Sequence, residues 1–352
     1  MKLEDIGWNA VLGFHLAELE DPRLEPRRVS RHDRGACYAT GREDEVQAWV
    51  PGRMRHAAVS AAELPAIGDW VAVRLDQDRY LIEAVLPRKS CLSRQAAGPR
   101  VEEQALAANV DFVLVVTGLD GDFNLRRLER YMSLVWESGA FPVVVLNKAD
   151  LGDDVEAAVR RTRDVAGDID VHAISASRGT GIGNLAGYWT PGRTAALAGS
   201  SGAGKSTLLN RVIGGDPQRV SPVREGDSRG RHTTTRRELF VLPEGGAIID
   251  TPGLRELQLQ GGPDGLDRTF PEIAELAMHC RFRDCRHQDE PGCAVREGVD
   301  RGGLAPERHR SFLKMTKELE SFRLRQEAHA LRARDRRFAR LLGRMKENDK
   351  RK

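Results

Sequence analysis

Residues Gly199-Ser200-Ser201-Gly202-Ala203-Gly204-Lys205-Ser206 match G-x-x-x-x-G-K-[ST] at every position. Such a loop cradles a nucleoside triphosphate. Its glycines let main-chain N–H groups close around the β-phosphate, and the helix behind it adds the positive end of its dipole. Lys205 is expected to reach the β- and γ-phosphates and Ser206 to bind Mg²⁺, with Thr207 beside them in the site. The rival reading, a Gly-rich turn before an ordinary helix, is outweighed by the complete motif lying between a strand and a helix.

A second constellation selects the base. Asn147-Lys148-Ala149-Asp150 ends an apolar strand and resembles the N-K-x-D guanine motif. Asp150 would accept hydrogen bonds from guanine N1–H and the 2-amino group. Adenine offers neither donor, so a buried Asp150 would be left unpaired against it, which discriminates strongly. Twenty-five residues later, Ser175-Ala176-Ser177 resembles the S-A-x loop whose backbone N–H contacts guanine O6; a simple loop serine is the alternative. Asp250-Thr251-Pro252-Gly253 resembles D-x-x-G, with Asp250 on the Mg²⁺ side and the Gly253 N–H facing the γ-phosphate. Gly230-Arg231-His232-Thr233-Thr234-Thr235 lies where switch I belongs; Thr234 is the favoured Mg²⁺ ligand.

Ras-type enzymes carry a water-positioning Gln directly after D-x-x-G. Leu254 stands there, so hydrolysis should be slow until another group is brought in. His232 is the candidate for orienting or deprotonating water; an exposed loop histidine or an RNA contact is the competing reading.

A third constellation binds metal. Cys280, Cys285, His287 and Cys293 form C-x4-C-x-H-x5-C. Three Cys and one His suit tetrahedral Zn²⁺ in a closed structural site, one per chain, with no position open for water. The spacing also permits His279 to replace His287. Cys37 and Cys91 are distant and read as ordinary thiols.

The elements that must position these groups alternate strand and helix: strands over 111–117, 141–146, 171–174 and 194–198, helices over 125–137 and 155–165. This predicts a parallel sheet covered on both faces. A β-hairpin is expected over 239–249. Before it, short β-like runs at 46–50, 70–73 and 80–82 suggest a small barrel, OB-type or SH3-like. Residues 1–30 read as a short helix or an arm, and 87–99 as a linker. After about 262 the sheet pattern stops, and a charged helix is expected from Pro306.

The expected domains are 1–93, 94–262 and 263–352, in a chain of 352 residues. Net charge is +3, but residues 306–352 hold sixteen Lys or Arg against seven Asp or Glu. That +9 leaves −6 for the rest, and points to a polyanionic partner for the C-terminal segment; a solvated helix face is the alternative. The longest apolar run, 110–119, contains Asp111 and is too short to cross a bilayer. The N-terminus has no apolar stretch of signal-peptide length. A cytoplasmic protein with no membrane partner is expected.

The order is guanine motif, S-A-x, phosphate loop, switch I, D-x-x-G, a circular permutation of the usual GTPase order. With it, the D-x-x-G segment leads directly into the metal module. This order, the Arg-His-Thr-Thr-Thr text of 231–235 and the metal cluster together resemble the ribosome small-subunit-dependent GTPase A family, known as RsgA or YjeQ. The resemblance spans nearly the whole chain and is weakest over the first thirty residues. It implies an α/β fold: a circularly permuted P-loop GTPase domain with an N-terminal OB-type barrel and a C-terminal zinc-binding helical module. It further implies a monomeric bacterial GTPase that binds the small ribosomal subunit and its 16S rRNA late in maturation. Such a GTPase is stimulated by the subunit, helps release ribosome-binding factor A and uses a histidine at the place of His232. Two rival functions are a metabolic or transport ATPase, against which Asp150 argues, and an RNA-binding scaffold holding GTP without turnover.

Overall fold

Five of the nine residues from Glu25 to Asp33 carry charge, yet they form the first strand, β1. Arg27, Arg28, Val29 and Ser30 are all buried there, so the strand has no apolar alternation to announce it. The barrel therefore begins inside the stretch expected to be a helix or an arm, well before the first β-like run expected at 46. In this computed structural model the described residues are 1–33, 36–95, 103–214, 237–251 and 264–349, without the side chains of 33, 95 and 329–349. They fall into two units, one holding the described residues up to 251 and the other those from 264 on.

In the first unit, α1 (Ala10–Ala17) precedes β1, followed by β2 (Ala36–Thr40), β3 (Glu45–Trp49), α2 (Gly52–Ala57), β4 (Trp70–Asp76) and β5 (Arg79–Val85). The strand order β1-β2-β3-β5-β4 closes through a β1–β4 pairing. β3 runs parallel to β5, with Ala48 opposite Tyr80. This is the OB-type arrangement among the two expected. The N-terminal residues are a wedge: Leu3 and Ile6 are buried with Trp70 of the barrel, and Val241 packs against the same cluster. Gly192 and Gly246 N–H both donate to the Asp5 carbonyl, at 2.9 and 2.7 Å.

The stretch read as a linker contains β6 (Cys91–Gln95), which pairs antiparallel with β7 (Glu103–Ala108). The main sheet follows: β8 (Phe112–Gly118), α3 (Leu125–Glu137), β9 (Phe141–Asn147), α4 (Val155–Ala166), β10 (Val171–Ala173), β11 (Thr194–Gly199), α5 (Lys205–Ile213), β12 (Glu238–Val241) and β13 (Ala247–Asp250). Its order is β10-β9-β8-β11-β13-β12. The first five are mutually parallel and β12 is antiparallel. Near-continuous burial along β8, β9 and β11 is what a sheet covered on both faces requires. Helix starts are set by Asn124 and Asp154, whose side chains accept from the N–H of Arg127 and Ala157.

The second unit holds α6 (Asp264–Thr269), α7 (Pro271–Ala277), α8 (Ala294–Asp300) and α9 (Pro306–Asp349). Its core gathers Phe270, Ile273, Val295, Leu304, Met315 and Phe322. Arg308 lies over the Phe270 ring and pairs with Glu272 at 2.6 Å. Among the described residues no helix is long and apolar enough to cross a membrane.

Candidate nucleotide and metal sites

Four of the predicted motifs begin at the carboxyl ends of parallel strands, β9, β10, β11 and β13, where open α/β sheets bind ligands. β11 runs into the phosphate loop. Gly199 has φ +130°, and a Cβ there would run into the Val116 carbonyl of the neighbouring strand. Gly204, at φ +91°, leaves room for the Asn147 amide. Ala203 is fully buried, while Ser206 and Thr207 are exposed on the first turn of α5. Lys205 Nζ donates to the Gly199 and Ser200 carbonyls of its own loop, at 2.9 and 2.6 Å.

Asn147 joins three motifs. Its Nδ2 donates to the Ala203 carbonyl at 2.8 Å, and its Oδ1 accepts from the Ala176 N–H at 2.9 Å. One buried amide thus ties the guanine tetrapeptide to the phosphate loop and to the S-A-x turn. That turn is closed by the Ser175–Thr180 bridge and by Arg178 N–H on Ser175 Oγ. Lys148 is left-handed (φ +60°) and pairs with Asp120. Ala149 N–H donates to the Ile174 carbonyl at 3.0 Å.

Asp150 is 13% exposed, with Oδ2 at 3.4 Å from Arg178 Nε. The Ser175 hydroxyl, with a smaller contribution from Arg178, holds its carboxyl below the ordinary range, so it is an anion at neutral pH. Its Oδ1 is buried and has no hydrogen-bond partner among the described residues. A buried acceptor without a donor is costly unless a ligand supplies one. The guanine N1–H and 2-amino pair fits that demand.

Asp250 ends β13 in register with Leu197, and Thr251 Oγ1 donates to the Leu197 carbonyl at 2.9 Å. His232, Thr234, Gly253 and Leu254 lie outside the described residues.

In the second unit, Cys280, Cys285, His287 and Cys293 place one ligand atom each within 4.8 Å of one another. His287 Nδ1 is 3.5 Å from Cys280 Sγ and from Cys293 Sγ, and those sulfurs are 3.9 Å apart. Tetrahedral zinc with ordinary bond lengths needs S···N of about 3.6 Å and S···S of about 3.8 Å. The group can hold one metal ion, and the imidazole in it is His287 rather than His279. His287 reaches that position through a left-handed backbone (φ +59°), and its carbonyl contacts His309 Nε2 at 2.9 Å.

No sequence motif marks the β8–α3 turn, residues 118–124, where Asp120 meets Lys148 and Asp122 meets Ser200. The available signal was position: two aspartates just beyond the carboxyl end of a central strand.

A parallel sheet carrying a complete phosphate loop, with the guanine tetrapeptide on an earlier strand, defines a circularly permuted P-loop GTPase, an enzyme that hydrolyses GTP. Residues 85–260 match the family described as RsgA GTPase. A relative from Opitutus terrae named "Small ribosomal subunit biogenesis GTPase RsgA" is 46% identical over 329 residues, covering 90% of each chain. One of the same name from Methanosarcina acetivorans is 44% identical, covering 89% of this chain and 84% of its own. The crystal structure of YjeQ from Thermotoga maritima superposes with a TM-score of 0.64 at 28% identity, covering 84% of this chain and 98% of that one. YloQ, described as a circularly permuted GTPase, gives 0.61 at 23% identity over 85% of this chain and 96% of its own, a likeness of fold. The chain belongs to the RsgA GTPase family.

Proposed function

We propose that this GTPase is a cytoplasmic, monomeric assembly factor acting late in maturation of the small ribosomal subunit. It is slow alone, is stimulated by the subunit, and helps release ribosome-binding factor A. The observation that carries this reading is likeness over nine tenths of the chain to relatives whose names state small-subunit biogenesis. An OB-type barrel and a C-terminal segment of net charge +9 suit 16S rRNA as the surface it docks on.

In this reading Asp150 accepts from the guanine edge, and Asn147, Lys148, Ala149, Ser175 and Ala176 form the walls of the base pocket. Residues 199–207 wrap the phosphates. Ser206 and Thr234 hold Mg²⁺, with Asp250 behind it, and Gly253 faces the γ-phosphate. Magnesium held there would supply neutralisation of the charge that develops on the phosphoryl oxygens. His232 orients the attacking water once the subunit orders its loop. Zinc at Cys280, Cys285, His287 and Cys293 supplies folding energy to the second unit.

The test is GTP turnover by the purified protein with and without small ribosomal subunits. A rise on subunits, with none on large subunits, supports the reading. Equal rates in all three would overturn it.

A further inference from the structure

The turn between β8 and α3 is unassigned by any motif, yet it grips both halves of the nucleotide site. Leu119 N–H donates to the Asn147 carbonyl at 2.9 Å, and Asp120 pairs with Lys148. Gly118 makes that pair possible: a Cβ there would meet the Asp120 carboxylate and, at 3.4 Å, Lys148 Cδ. Two residues on, Asp122 Oδ2 accepts from Ser200 Oγ, the second residue of the phosphate loop. Asp122 is itself held from two sides: Thr117 Oγ1 donates to its carbonyl at 3.3 Å, and Arg127 contacts that carbonyl and pairs with Oδ1 at 2.6 Å. Arg127 in turn is fixed on the first turn of α3, which Asn124 caps.

Two carboxylates beside a polyphosphate site would ordinarily repel the ligand. Here each is matched by a cation, Asp120 by Lys148 and Asp122 by Arg127, which leaves their hydrogen-bonding capacity without their net charge. A carboxylate accepting from a hydroxyl makes one of the stronger neutral-donor bonds. The loop it anchors must present main-chain N–H groups to phosphate with little freedom to relax. We infer that residues 118–124 are a further segment of the nucleotide site, in which Asp122 positions the phosphate loop through Ser200 while Asp120 positions Lys148 against the base. Both are positioning residues; neither touches the reacting atoms. This inference rests on the assignment of Lys205 and Asp150 to the nucleotide site.

The test is a double-mutant cycle read in nucleotide affinity, with fluorescent GDP and a non-hydrolysable GTP analogue on the full chain. Asp122→Ala and Ser200→Ala should each weaken binding about tenfold, equivalent to about 1.4 kcal/mol. The double variant should be no weaker than either single, since both remove one bond. Asp122→Asn keeps an acceptor oxygen and should return affinity to within about threefold of wild type. Thermal unfolding is followed alongside, so that a variant which fails to fold is recognised; the tenfold loss in Ser200→Ala set against the near-wild-type affinity of Asp122→Asn then carries the test, and wild-type affinity in Ser200→Ala overturns it. Additive losses, or affinities within twofold of wild type in both alanine variants, would overturn the inference. Lys205→Ala is the control: if it too left affinity unchanged, the site assignment itself would fail.

Discussion

Arg28 Nη1 donates to Thr194 Oγ1 at 2.8 Å, across 166 residues of sequence. Arg28 lies on the barrel strand β1, and Thr194 is the first residue of the strand that ends in the phosphate loop. The same guanidinium donates to the carbonyls of Ile6, Gly68 and Asn109, so it joins the N-terminal wedge, the barrel and the parallel sheet. It is fully buried, and burial pushes its pKa down to about 10, so it remains cationic at any physiological pH. Deleting it strands several buried acceptors, each costing about 1–3 kcal/mol. Arg28→Ala should therefore lose about 3 kcal/mol or more in urea unfolding. Arg28→Lys should recover little, because an ammonium cannot span a planar set of acceptors. A loss under about 1 kcal/mol would mean that water replaces the guanidinium.

Asp150 sets the base. Asp150→Asn should weaken GTP and GDP binding by about a hundredfold or more, since an amide meets the guanine edge donor to donor. Xanthine nucleotides, whose 2-oxo group accepts from an amide, should gain in the same variant. Competition titrations of GTP, XTP and ATP decide this. A wild type that binds ATP as tightly as GTP would remove the guanine assignment.

Metal is expected at one equivalent per chain. Cys293→Ser, or chelation, should unfold the second unit while guanine nucleotide affinity changes little, because metal binding supplies local folding energy. Elemental analysis of protein purified without chelators checks the stoichiometry, and circular dichroism the unfolding. Protein that is folded throughout and metal-free would contradict this.

The basic C-terminal segment is expected to contact phosphate. Truncation at 306 is a poor probe, because Arg308, Met315 and Phe322 belong to the core of the second unit. Changing Arg332, Arg334, Arg336 and Arg337 to Gln removes charge beyond that core. The slope of log affinity for small subunits against log salt should then flatten by roughly three. An unchanged slope would make this stretch a solvated helix face.

His232 joins chemistry to regulation. Leu254 cannot position water, so His232→Ala should keep GTP affinity and subunit binding but lose about 10²–10⁴-fold of subunit-stimulated hydrolysis. Single-turnover hydrolysis on saturating subunits is the assay, since product release does not enter it. Wild-type rates there would assign the catalytic group to the ribosome.

The sequence by itself determined the nucleotide and metal motifs, the permuted order and the helix Leu125–Glu137, which the structure reproduces residue for residue. Each is written in contiguous residues: a phosphate loop must wrap one anion with consecutive N–H groups, and a helix buries one stripe at a 3.6-residue period. β1 was illegible for the complementary reason, since its buried side chains include Arg28, whose partners all come from other elements, and Arg27, which reaches Asp44 beyond the strand. Only the tertiary structure decided that Asn147 bridges Ala203 and Ala176, that Asp122 meets Ser200 78 residues away, and that the barrel closes β1 onto β4. An aspartate in a turn or an arginine in a strand carries no local trace of its partner. The pairing exists because parallel register sets β8 beside β11 and β11 beside β13, and register is a property of the assembled sheet.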